Sequence, residues 1–148
     1  MRITVDKQTK KFYLAFAANE RNAKQGRWVS AVGHEIHVGK HRFSATVFDP
    51  DEIVISEVTS GIRVMNIPIT QEIRRMIETK ENVLTYLKHV GETSLTRIIE
   101  KHDFDKAVAD GKRMSYNMLG EMPRLKHSTW RARNECCSPW MVQRKRRG

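Results

Sequence analysis

Residues 34–69 read HEIHVGKHRFSATVFDPDEIVISEVTSGIRVMNIPI. Four runs rich in Val, Ile and Phe alternate with three turn signals, a pattern that commits the stretch to an antiparallel β-meander. The first turn is Gly39-Lys40, which suits a two-residue hairpin with glycine at its first central position. That turn fixes a register: Val38 opposite His41, His37 opposite Arg42, Ile36 opposite Phe43, Glu35 opposite Ser44. Side chains alternate across a strand. One face therefore carries Ile36, Val38, Phe43, Ala45 and Val47, with His34 and His41 at its margins. The other carries Glu35, His37, Arg42, Ser44 and Thr46 and is expected to face water. Asp49-Pro50-Asp51 reads as a type I turn and Thr59-Ser60-Gly61 as the third. Glu52–Val58 and Ile62–Ile67 read as the strands around it. Pro68 ends the last strand or places it at an edge.

Upstream, Ile3 and Val5 open a short strand, Phe12–Ala17 is a second, and Trp28–Val32 is a third that Gly33 stops. Residues 19–26 (NERNAKQG) are polar and read as a loop. About seven strands are thus expected before residue 70. Beyond Pro68 the apolar period becomes helical. Thr70 can cap a helix, and Ile73, Met76, Ile77, Val83, Leu84, Leu87 and Val90 fall on one stripe, unbroken or broken near 79–82. Gly91 reads as a stop. Thr93 or Ser94 would cap a helix carrying Leu95, Ile98 and Ile99. Asp103 would cap another that turns Phe104, Ala107, Val108, Met118 and Leu119 inward, with Gly120 as its end. Strands followed by helices imply an α+β fold. The expected architecture is an antiparallel sheet of five to seven short strands, curling toward a barrel, then two or three helices. Residues 1–120 form a single domain, β-rich over 1–69 and helical over 70–120, and 121–148 form a basic arm. The helical stripe is expected to cover the sheet, and any of it left exposed would suit a homodimer.

The formal net charge is +10, and it is uneven. Arg124, Lys126, Arg131, Arg133, Arg144, Lys145, Arg146 and Arg147 stand against Glu121 and Glu135 at the C-terminal end. Residues 1–33 hold seven Lys/Arg against Asp6 and Glu20. Basic ends on a near-neutral middle imply an anionic partner, most simply nucleic acid. No apolar run reaches the ~20 residues of a membrane span. The N-terminus lacks the apolar core of a secretory signal. Cys136 and Cys137 are adjacent and frame no useful disulfide. The expectation is a cytoplasmic, reducing compartment, without membrane or cofactor.

The terminal segment is the strongest functional feature. Arginine contacts phosphate and tryptophan stacks on unpaired bases. Lys126, Trp130, Arg131, Arg133, Trp140, Arg144, Lys145, Arg146 and Arg147 are therefore the candidate nucleic-acid contacts, with a solvated tail packed through its tryptophans as the plainer alternative. Glu35, His37 and Arg42 share one face of the hairpin. They supply the carboxylate, imidazole and guanidinium that a metal-independent ribonuclease uses as base, acid and phosphate clamp; ordinary cross-strand charge pairing uses the same residues. A metal site from His34, His37 and His41 is disfavoured because the register separates them onto two faces. His127-Ser128-Thr129 is a single H-x-T element without the second that two-histidine phosphoesterases need. His127 with Cys136 and Cys137 lacks zinc-ligand spacing, so no metal is assigned. The common nucleotide-binding, metalloprotease and hydrolase motifs are absent.

The leading expectation is a small nucleic-acid-binding protein, for RNA or DNA, without catalytic activity. The first alternative is a small regulatory or inhibitory protein, of the kind phages and mobile elements encode, acting on a larger nucleic-acid-handling complex. The second is a ribonuclease built on Glu35, His37 and Arg42.

Overall fold

The computed structural model describes residues 2–16, 26–49 and 51–123. Its six strands are β1 (Ile3–Val5), β2 (Lys10–Phe16), β3 (Arg27–Val38), β4 (His41–Asp49), β5 (Glu52–Glu57) and β6 (Arg63–Pro68). They form one antiparallel sheet in the order β1-β3-β4-β5-β6, with β2 also on β3, curled into a half-barrel. β1 and β2 lie end to end along one edge of β3, on residues 36–38 and 27–33 respectively. The β3–β4 register is the one the Gly39-Lys40 turn dictates, with Val38 opposite His41 and Glu35 opposite Ser44. Gly39 has φ 61, which glycine adopts without strain.

The apolar face is the core. Ile36, Val38, Phe43, Ala45, Val47, Ile53, Ile55 and Ile67 are buried against Val83, Leu87, Val90, Leu95 and Phe104 of the helices. The opposite face corrects the expectation of a wet side. Glu35, Ser44, Thr46 and Ser56 are all buried there. The reason is the curl. β3 runs unbroken through Gly33, where sequence reasoning stops a strand and starts another. A Cβ at Gly33 would lie 1.9 Å from the Ala45 carbonyl oxygen, so only glycine allows this approach to β4. Beyond Gly33, β2 turns Phe12 and Leu14 inward, and both are buried. The free edge of β2 then reaches the β5–β6 turn, where the Ala15 N–H donates to the Gly61 carbonyl at 2.8 Å.

The helices are α1 (Gln71–Met76), α2 (Lys80–Val90), α3 (Thr96–Lys101) and α4 (Phe104–Leu119). Thr70, Thr79 and Asp103 cap α1, α2 and α4 by accepting from Ile73, Asn82 and Lys106 backbone N–H groups. Gly91 does not stop the chain, and neither Thr93 nor Ser94 caps a helix. A π-helical turn over Gly91–Leu95 carries α2 into α3. Thr96 donates both its N–H and its hydroxyl to the Gly91 carbonyl. Glycine fits here without displacing a neighbour, whereas a Cβ would sit 2.9 Å from Ile3 Cγ2. Met76 and Met118 lie outside the core, at 50% and 55% exposure, and Ala107 is also exposed. The face α4 turns inward is Phe104, Val108, Gly111, Ser115 and Leu119 instead. Small residues at 111 and 115 let the helix approach the β5–β6 turn, where the Ser115 hydroxyl donates to the Ser60 carbonyl at 2.9 Å. Among the described residues no helix is long and apolar enough to cross a membrane.

Candidate functional site

The β3–β4 hairpin places Glu35, His37 and Arg42 on one side of the sheet, and the joint between β1 and β2 adds Asp6 and Lys10. Asp6 is clamped from two sides. Its N–H donates to the Glu35 carbonyl at 2.9 Å, and its carbonyl lies 3.0 Å from His34 Nδ1. Lys10 follows at the start of β2, opposite Gly33.

Glu35 is the centre of this group. Its side chain is 2% exposed, while those of His37, Lys10 and Arg42 are 34%, 46% and 47% exposed. Arg42 binds it bidentately, with Nε donating to Oε2 and an Nη to Oε1, both at 2.9 Å. The hydrogen bond to Glu35 raises the Arg42 pKa above its ordinary value. His37 Nε2 lies 2.6 Å from Glu35 Oε2 and 3.9 Å from Asp6 Oδ1. Lys10 Nζ lies 2.6 Å from Asp6 Oδ2 and 3.8 Å from Glu35 Oε1. A buried carboxylate is thus compensated by cations that keep one side in water. Asp6, Glu35 and His37 each offer a ligand atom within 4.8 Å of the others. A divalent ion there would compete with Arg42 and Lys10, which already neutralise both carboxylates.

The three hairpin histidines occupy separate surroundings, as the register requires. His34 is buried, and loss of solvent pushes its pKa below the ordinary value. His41 packs edge-on against Phe104, with ring centroids 4.8 Å apart, and lies 3.5 Å from Asp105. Lys40 bonds the same carboxylate at 2.7 Å and holds the Asp105 pKa below its usual value.

The structure brings together all three residues of the ribonuclease reading. Sequence reasoning missed Asp6 and Lys10, since no local pattern shows that β1 and β2 flank the same stretch of β3. The nine candidate nucleic-acid contacts from Lys126 to Arg147, and His127, Cys136 and Cys137, lie outside the described residues. Gly120, shortly before the last described residue, Pro123, accepts through its carbonyl from Trp28 Nε1 at 3.2 Å. No protein-family model, curated protein or solved structure matches this chain.

Proposed function

We propose that the protein binds nucleic acid, with phosphate contacts from Lys126, Arg131, Arg133, Arg144, Lys145, Arg146 and Arg147. The observation that carries this reading is the partition of charge. The described residues hold 17 Lys/Arg against 15 Asp/Glu, whereas residues 124–148 hold eight against Glu135 alone. A folded body close to neutrality has no need of such a segment for its own stability, and a dense run of arginines matches the phosphate backbone. The test is a mobility shift with labelled single- and double-stranded RNA and DNA. Replacing Arg131, Arg133, Arg144, Lys145, Arg146 and Arg147 together by Gln in the full chain is expected to move the shift to much higher protein concentration. A variant that still shifts every probe at unchanged concentration contradicts the reading.

A second reading, metal-independent RNA cleavage, is favoured by the contact of Glu35 with both His37 and Arg42. The 2.6 Å between His37 Nε2 and Glu35 Oε2 sets a condition on it. The two cannot stand on opposite sides of one phosphorus, so Glu35 would orient His37, which would take the 2′-hydroxyl proton as that oxygen bonds to phosphorus and return it to the 5′ oxygen as the P–O5′ bond breaks. This reading predicts strand scission in EDTA that disappears in His37→Gln with the melting temperature unchanged. Intact RNA after prolonged incubation with protein that binds it rules the reading out.

A further inference from the structure

The outer face of β2 and the first half of β3 carries a row of aromatic rings and cations. Lys11, Tyr13 and Ala15 stand opposite Val32, Ser30 and Trp28, so Tyr13 and Trp28 are diagonal neighbours on one face. The Lys11 ammonium lies 5.2 Å from the Tyr13 ring centroid. Trp28 meets Tyr116 of α4 edge-on, with centroids 5.8 Å apart and planes at 85°. The Lys112 ammonium lies 5.4 Å from the Tyr116 centroid. The row therefore runs cation, ring, ring, ring, cation.

These rings differ from Phe43 and Phe104, which the core encloses. Tyr13, Trp28 and Tyr116 all keep part of their surface in water. They are also held in place. Trp28 donates to the Gly120 carbonyl, and its ring lies against Gly61, where a Cβ would come within 2.6 Å of Cζ3. Fixed, part-exposed rings flanked by ammonium groups are what stacking on unpaired bases requires, because every base has a π-face and every base brings a phosphate. Among the described residues, the acids near Tyr116 are Asp110, engaged by Arg113 at 2.7 Å, and Glu121, which follows the helix end. The position also fits. β2 ends at Phe16 opposite Arg27, where β3 begins, so the connection carrying Arg21 and Lys24, with Glu20 as its one acid, springs from this end of the sheet. Gly120, held by Trp28, leads to the cationic segment 124–148.

We propose that Tyr13, Trp28 and Tyr116 form a stacking platform for the unpaired bases of a single-stranded nucleic acid, with Lys11 and Lys112 on its phosphates. This rests on the nucleic-acid reading above and adds the strand state of the ligand. A duplex keeps its bases stacked on one another and offers this row only phosphates.

The experiment is fluorescence anisotropy with full-length protein and three labelled probes of equal length: a single strand, the same strand with abasic sites, and the duplex. The abasic strand keeps the phosphates and lacks the rings. The base-bearing strand is expected to bind about tenfold or more tightly than the abasic one, since stacking contributes about 1–3 kcal/mol per base. Tyr13→Ala and, separately, Tyr116→Ala are expected to shrink that ratio severalfold while the affinity for the abasic strand holds. Trp28→Phe serves as a third variant that preserves the packing on Gly61. Equal affinity of the wild type for base-bearing and abasic strands overturns the platform and leaves nucleic-acid binding standing. A ratio unchanged in both tyrosine variants also overturns it. Failure of every probe to bind at low salt overturns the underlying reading and the platform with it.

Discussion

Glu35 shows how one buried charge organises its neighbours. Its carboxylate is held by Arg42 and His37, with Lys10 farther off, and removing its charge leaves Arg42 and His37 without their carboxylate while Lys10 keeps Asp6. Breaking a buried pair costs about 3–5 kcal/mol. Arg42 and Lys10 are half in water and can resolvate, which reduces the figure for Glu35→Gln to about 2 kcal/mol. Urea denaturation checks this, and a midpoint equal to wild type would show the cluster to be ornamental. His34 gives the pH dependence. Its folded pKa lies below the ordinary 6.5 because burial disfavours the imidazolium. Below pH 6.5 the unfolded chain therefore binds the extra proton more readily than the folded one. The stability contributed by neutral His34 is complete above that pH and is lost as pH falls from 6.5 toward the folded pKa. Wild type is expected to lose more stability than His34→Gln between pH 7.5 and 5.5. Parallel losses would contradict this. Tyr86 is raised by the same desolvation acting on a group whose charged form is the anion.

At the scale of elements, two glycines determine how the sheet closes. Gly33 lets β3 pass beneath the Ala45 carbonyl, and Gly61, at φ 71, brings the β5–β6 turn against Trp28 and β2. Gly33→Ala is expected to cost about 3 kcal/mol, since the added methyl meets backbone rather than a yielding side chain. Gly61→Ala is expected to cost about 2 kcal/mol from its left-handed backbone and the Trp28 ring together. Thermal melts followed by circular dichroism measure both, and Tm values within a degree of wild type would refute the role of the curl. The hairpin register was legible because alternation and a two-residue turn are local. The curl was not, because it depends on how closely β4 approaches Gly33, a distance no periodicity encodes. The same limit explains Gly91. In sequence it has the form of a helix terminator, but Ile3, Ile36 and Val38 press on that turn and the chain continues through it. Glu35 and Ser44 could be assigned to the polar face from the sequence, but their burial could not, since it follows from the curl that brings β2 round to the β5–β6 turn.

Across the whole molecule, the described residues are close to charge neutrality and residues 124–148 carry most of the net positive charge. The α+β order of strands then helices follows from the change of hydrophobic period at Pro68, and the described residues confirm it. The charge partition was equally plain in the sequence, since counting needs no fold. The position of its origin was not, because Trp28 and Gly120 are brought together only by packing. The most direct test of nucleic-acid binding is the slope of log affinity against log salt for the full-length protein on a single strand. Each phosphate contact on a single strand contributes about −0.7 to that slope. If Arg131, Arg133, Arg144, Lys145, Arg146 and Arg147 all bind phosphate, replacing them by Gln makes the slope shallower by about 4. A wild-type slope near zero, or one the substitutions leave unchanged, would contradict the account.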